Sequence, residues 1–454
     1  MGDIIVFALF VVIFLSAYLF TQKNAVQAFV ITILVSLYLP TYLRFGPIQY
    51  STLLGYICLL CCIVYFITNK RNKSDNIILS KKLLNMLMIY LLILFVWAVL
   101  SDTLFKEQQL SYLRTTLRTF AMYVFVFIYI KNKSDVTNIY RFISGFLFIL
   151  TIYGLYCYVT RTNAIVSFFN LLYNPDDTAL AAHMLQERGG LLGRIQGVTS
   201  ITLEYAGQLL VSFFLILHYM LNVKRKITLY YVVLLLLIFI NLFFTGSRSG
   251  VIGLAVGVVI WIYLYGGLSF KVKTRLTTFF VCCYLFLVYY SSAFAEYGDY
   301  VRSVIFFWEQ SDTIGGSSFD MRLTQLEASI NMIDNDFTSM FFGLGADWVR
   351  QYSMSHNGLH PVLLGFESIV FIGLIEFGFI GLFVVTYGFY FLLYWFVKKC
   401  HASRIVIIMI IAFVVFQSFT GNYTRQFFVC FLLVMAKGCY LEYSMKEKQL
   451  KKHK

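Results

Sequence analysis

The chain has 454 residues, 60% of them hydrophobic and 19% aromatic but only 13% charged. That is about half the charged fraction of a soluble domain, so a free-standing soluble protein is excluded. A formal net charge of +14 does not point to nucleic acid, because the basic residues sit in short links between apolar runs, where topology rules place them.

Hydropathy marks candidate spans at 3–20, 25–42, 48–68, 83–100, 113–130, 142–159, 201–222, 228–245, 250–268, 277–294, 364–397, 405–420 and 426–442. Most are close to the ~20 residues that a helix needs to cross a bilayer core. The first run has no basic leader and no small-residue cleavage site, so it reads as a retained span. The run 364–397 is too long for one upright helix and is predicted to begin as a partial helix at the outer surface. The fold class expected is therefore an all-α polytopic membrane protein of about 12–13 transmembrane helices, with short helices in a large outer loop. The divisions are N-terminal helices in 1–160, a first outer loop in 161–200, central helices in 201–294, a large outer loop in 295–363, C-terminal helices in 364–442 and a basic cytoplasmic tail in 443–454.

Within the large loop, Phe319, Leu323, Leu326, Ile330 and Ile333 recur at helical spacing, which predicts a surface helix with that stripe as its apolar face. Asp320 and Arg322 start it, and Asp334, Asn335 and Asp336 end it. The nine cysteines lie in or at the ends of apolar runs and none falls inside either long loop, which argues against a disulfide framework. The Cys58–Cys61 spacing reads as packing within the apolar phase.

Lysine sets the orientation. Clusters at Lys70–Lys82, Lys131/Lys133, Lys224/Lys226, Lys271/Lys273, Lys398/Lys399 and Lys446–Lys454 all fall on one side of this span count, the cytoplasmic side. The opposite links hold Lys106 and otherwise only arginine: Arg44, Arg114, Arg118, Arg161, Arg188, Arg194, Arg248, Arg302, Arg322, Arg350 and Arg425. Topology alone would exclude both residue types from that face, yet arginine is kept there. Its planar fork bonds phosphate and carboxylate in a way that lysine cannot. Snorkelling to lipid headgroups is the competing account for any one of them.

No P-loop, no glycine-rich turn after a strand and no GxSxG elbow is present. His356 and His360 are four apart, but Gly358 and Pro361 argue against a regular helix there and no HExxH glutamate accompanies them, so no metal is expected. Four outward clusters remain. Arg114 and Arg118 share one helix face, either around an anion or snorkelling outward. Arg194 in GRIQG precedes a span carrying Glu204 and Gln208, and a structural Arg194–Glu204 ion pair is one reading. The link Thr245–Gly250, TGSRSG, predicts a tight turn with Arg248 and exposed backbone N–H groups, an anion nest at the head of the next helix; the bland reading is a short polar turn. The last cluster runs from Arg322 through Gly343–Gly345 and His356–Asn357 to Glu367–Ser368 and Gly378–Gly381.

At these residues the chain resembles the O-antigen polymerase and O-antigen ligase superfamily. The resemblance is carried by TGSRSG at 245–250, Arg322, FGLG at 342–345, SHN at 355–357 and ESIVFIGLIEFGFIGL at 367–382, with GRIQG a weaker match. It covers roughly 190–400; the N-terminal spans share only hydrophobicity. The resemblance implies metal-independent, inverting glycosyl transfer at the outer face of a bacterial inner membrane, with no cofactor. The donor implied is a glycan on undecaprenyl diphosphate. Arg248 and Arg322, with Arg194 as a third contact, would hold the diphosphate. His356 or Glu367 would orient or deprotonate the acceptor hydroxyl, with Arg114, Arg118, Glu204 and Asn357 as further candidates. Membrane lipids, a flippase and a chain-length regulator are the partners implied, and nucleic acid is not. Glu367–Ser368 followed by Gly378–Gly381 looks more like the polymerases. A ligase passing glycan to lipid A core, and a non-enzymatic lipid-oligosaccharide flippase, stay open. Charges gathered at one face and the absence of a repeat favour surface chemistry over passage.

Overall fold

A backbone surrounded by apolar side chains has no water to bond to, and a helix is the conformation that satisfies its N–H and C=O groups locally. The computed structural model describes residues 2–40, 43–45, 47–69, 75–101, 106–173, 194–199, 201–264, 319–334, 336–355, 368–421 and 424–452, with scattered positions in 269–282. The described residues are 85% helical, and the sheet among them is one antiparallel hairpin, β1 (Arg44–Phe45) with β2 (Ile48–Gln49).

The N-terminal half contains α1 (Gly2–Phe20), α2 (Ala25–Ser36), α3 (Tyr50–Thr68), α4 (Asp75–Leu100), α5 (Lys106–Tyr129), α6 (Lys133–Thr160) and α7 (Ala164–Tyr173). After GRIQG come α8 (Thr202–His218), extended by a π-helical turn at Tyr219–Val223, then α9 (Leu229–Phe244) and α10 (Arg248–Leu264). The loop helices α11 (Phe319–Ile333), α12 (Phe337–Phe342) and α13 (Trp348–Ser355) precede α14 (Ile369–Gly381). A second π-helical turn at Leu382–Tyr387 leads into α15 (Gly388–Lys399), followed by α16 (Arg404–Thr420) and α17 (Arg425–Lys452). Seven helices among the described residues are long and apolar enough to cross a membrane, and four more are apolar but shorter. This is compatible with a multi-pass membrane protein. The candidate span 277–294 lies almost wholly outside the described residues.

Helix α8 occupies the centre: 78% of its apolar window is buried, against 17% for that of α1. Its polar residues explain why. A polar group in an apolar phase seeks a partner, and four of these side chains each reach a neighbouring segment. Tyr205 donates to Asn241 Oδ1 at 3.1 Å, Gln208 to Leu37 O at 3.0 Å, Ser212 meets Tyr38 Oη at 2.9 Å and His218 Nδ1 meets Tyr140 Oη at 2.7 Å. Asn241, the lone polar amide in α9, also donates to Thr151 O at 3.0 Å and so ties α6, α8 and α9 together.

The same contacts fix the ends of the bundle. The start of α6 with Asp135, the end of α8 with His218, and Lys437 and Glu442 on α17 lie toward one end, where Gln27 donates to Asp135 O and Cys439 Sγ meets His218 Nε2. At the other end stand Arg194, Glu204, Thr245 and Arg425. The basic tail stays helical to Lys452, helped by a 3.4 Å Lys446–Glu442 pair one turn apart. The described cysteines are free thiols, and Cys58 and Cys62 are buried in the α3 packing face.

Helix α11 forms where the periodicity predicts it, but the predicted stripe is divided, with Ile333 inward, Leu326 half-buried and two members outward. Gln325, Ser329 and Ile333 are buried, whereas Leu323 and Ile330 are 49% and 36% exposed. Close approach of α11 to α14 favours small residues at the contact, and Ser329 folds its hydroxyl back onto Gln325 O at 2.6 Å. Asp336 ends the link after α11 by capping α12: its carboxylate accepts the Ser339 N–H at 2.6 Å, which holds the acid below its ordinary range.

Candidate functional site

Two of the sequence clusters meet. The C-terminus of α9 leaves carbonyls without helical partners and carries the negative end of the helix dipole. The GRIQG segment supplies both missing donors: Ile195 N–H bonds Phe244 O at 3.0 Å, and Arg194 Nε bonds Thr245 O at 3.0 Å. Gly246 (φ +66°) lies under the arginine, and a Cβ there would come within 3.1 Å of Arg194 Nε. On its far side the segment is held by Asn163 Nδ2, which donates to Gly197 O at 2.6 Å. Arg194 thus lies across the TGSRSG turn, 54 positions from Arg248 in sequence but joined to its loop in space.

The turn is more self-contained than an open nest. Gly246 N–H bonds Phe243 O, Ser247 N–H bonds Thr245 Oγ1 at 3.2 Å, and Gly250 N–H bonds Ser247 Oγ at 3.3 Å. Ser247 therefore caps α10 in the manner that a serine usually does. Arg248 opens α10 half-buried. What this turn offers an anion is the arginine pair and the head of a 17-residue helix, with those backbone donors already engaged.

Arg114 and Arg118 part company. Arg114 is exposed. Arg118 packs onto α3, with its Cβ 3.1 Å from the position of a Cβ on Gly55, its Cζ 5.3 Å from the Tyr56 ring and its Nη2 donating to Thr115 Oγ1 at 2.8 Å. Glu204 and Gln208 line a cavity of about 320 Å³ among α3, α4, α5, α8, α15 and α17, together with Arg425. Arg322 sits in the first turn of α11. His356, Asn357 and Glu367 lie outside the described residues.

FGLG acquires a structural reason. Leu344 N–H bonds Ile375 O at 2.8 Å and Gly345 N–H bonds Glu376 O at 3.0 Å. Gly343 (φ 75°, ψ −178°) and Gly378 (φ 69°, ψ −175°) stand back to back in a conformation that only glycine adopts readily. A Cβ on Gly378 would fall on the Phe341 carbonyl, and one on Gly343 on the Phe377 amide. Gly378 breaks α14 there, and Trp97 Nε1 satisfies Phe377 O at 3.1 Å. Glu376, buried beside the break, lies near the backbone N–H groups of Asp347 and Val349 at the head of α13. Sequence reasoning passed over Glu376. A lone carboxylate in an apolar run needs a partner, and that signal was available; which partner was not.

No family model and no curated protein matches this chain.

Proposed function

We propose that the chain polymerises lipid-linked oligosaccharide repeat units, of O-antigen or capsule type, at the outer face of a bacterial inner membrane. The donor is a glycan on undecaprenyl diphosphate. The observation that carries this reading is the docking of GRIQG on TGSRSG, because it assembles Arg194 and the Arg248 turn at the arginine-rich end of the bundle. The Lys/Arg segregation along the chain supports the orientation.

In the proposed reaction an acceptor sugar hydroxyl attacks the anomeric carbon from the face opposite the leaving group. The new C–O bond forms as the bond to the diphosphate oxygen breaks, so the anomeric centre inverts and undecaprenyl diphosphate departs with the electron pair. His356 or Glu367 takes the hydroxyl proton. Arg194, Arg248 and Arg322 stabilise charge as it develops on the leaving oxygen, the place where fixed cations lower a barrier most. Membrane lipids surround the site, and a flippase delivering repeats and a chain-length regulator are the partners the reaction needs.

Deleting the gene in its host and sizing surface and lipid-linked glycan separately tests this. A surface core carrying a single repeat supports polymerisation. Long chains retained on undecaprenyl diphosphate would make the chain a ligase that transfers glycan to lipid A core. Repeats trapped on the cytoplasmic face would make it a flippase and remove the catalytic roles.

A further inference from the structure

We propose that the cavity between α3, α5, α8 and α17 binds a sugar residue bearing one carboxylate, with Arg425 taking the carboxylate and Gln208, Thr116 and Thr119 accepting the sugar hydroxyls. The proposal rests on the saccharide-transfer reading for its substrate, an acidic residue of the lipid-linked repeat; the charge and hydrogen-bond pattern come from the cavity itself.

Arg425 opens α17 and lines the cavity. One face of its guanidinium is covered: Cζ lies 3.8 Å from the Phe389 ring centroid and 5.8 Å from those of Tyr90 and Tyr390. Stacking of this kind fixes the plane of the fork. Its hydrogen bond among the described residues runs from Nη2 to Tyr90 Oη at 3.2 Å, and none of the carboxylates in the described ion pairs is its partner. A mostly buried cation with in-plane donors to spare calls for an anion, and a carboxylate matches the fork.

Three groups in the remaining lining are left as acceptors. Thr116 donates its hydroxyl hydrogen to Tyr112 O at 2.9 Å and Thr119 to Thr115 O at 3.0 Å, so each hydroxyl has only lone pairs left. Gln208 commits its amide nitrogen to Leu37 O at 3.0 Å. Its Oε1 is buried and has no partner, a state that native structures rarely leave unfilled. One forked cation and several acceptors are the complement of a ligand with one carboxylate and several hydroxyl donors. Glu204 on the same wall would repel a second negative charge on the ligand, which favours a monoanion over a diphosphate. Tyr50 and Phe120 supply apolar faces for ring carbons. A cavity of about 320 Å³ is at the small end for ligand sites and suits one or two sugar rings.

The test is calorimetric titration of the full chain in detergent with D-glucuronate, D-glucose and inorganic phosphate. Glucuronate should saturate the protein and bind about tenfold or more tighter than glucose, ~1.4 kcal/mol. Arg425→Lys should lose most of that difference. Gln208→Leu keeps the volume and the cation and should weaken both sugars; it also serves if the arginine variant does not fold. Non-saturating glucuronate, phosphate binding as tightly as glucuronate, or unchanged binding in Gln208→Leu would each overturn the assignment and leave a water-filled or merely anion-binding cavity. Because binding is read without activity, the two readings fail separately. Saturable glucuronate binding in a chain whose deletion leaves surface glycan unchanged would remove the polymerase and keep the cavity. Absent binding in a chain whose deletion shortens the glycan would do the reverse.

Discussion

A lysine would carry the charge of any arginine at this end of the bundle, but not its fork. Arg194 shows the difference, with Nε bonding Thr245 O across a glycine where an ammonium on a flexible stem would not be held in one plane. The same reasoning applies to Arg322 if it clamps a diphosphate. Arg322→Lys should reduce glycan extension on lipid-linked repeats about a hundredfold, the effect of losing an oriented donor from a charge-stabilising site. Equal rates with lysine and arginine would remove the clamp role. The arginines themselves were legible in the sequence because lysine marks the other face so consistently. Their contacts were not: Arg194 Nε bonds Thr245 O, because the carbonyls at the end of α9 are brought to it only by folding.

Among the elements, helices were the easy part. Most span positions read from hydropathy coincide with helices, since an unbroken apolar run leaves the backbone no alternative. The exception to a simple rod is the run near 364–397, where the described helix starts at Ile369 and breaks at Gly378. Its length announced trouble, but the reason lies in Gly343 on another element, which presses its backbone against the break. Gly378→Ala should therefore lower the thermal midpoint in detergent, by the equivalent of about 1–3 kcal/mol for a residue held in that backbone region, and raise proteolytic nicking within 319–355. Gly145→Ala is the control: a Cβ there meets nothing within 4 Å, and alanine is the better helix former by about 1 kcal/mol. If both variants behave alike, the interlock is not holding the loop helices. The α11 stripe is the opposite lesson. Periodicity located the helix, but Gln325 and Ser329 are buried beside Ile333 while Leu323 and Ile330 of the predicted stripe stay exposed, because helix packing rewards close approach as well as apolar area.

At the scale of the whole molecule, the two ends differ in chemistry, and that asymmetry is what an orientation test reads. With exposed Cys282 replaced by serine, a membrane-impermeant maleimide applied to intact cells should label Thr162→Cys and not Lys226→Cys, since both sites are exposed at opposite ends of the bundle. The reverse pattern would turn the molecule over and place the arginine end in the cytoplasm. The sequence by itself determined the helical class, the approximate spans and the separation of lysine from arginine, because each depends on local composition: burial of a run, the backbone it forces and the charge of its flanks. Only the tertiary structure decided that GRIQG lies on TGSRSG, that Glu376 sits by the head of α13 and that Arg425 shares a cavity with Glu204 and Gln208. Those pairings join residues far apart in the chain, and they form only because polar groups in an apolar surround must find partners wherever the packed helices bring them.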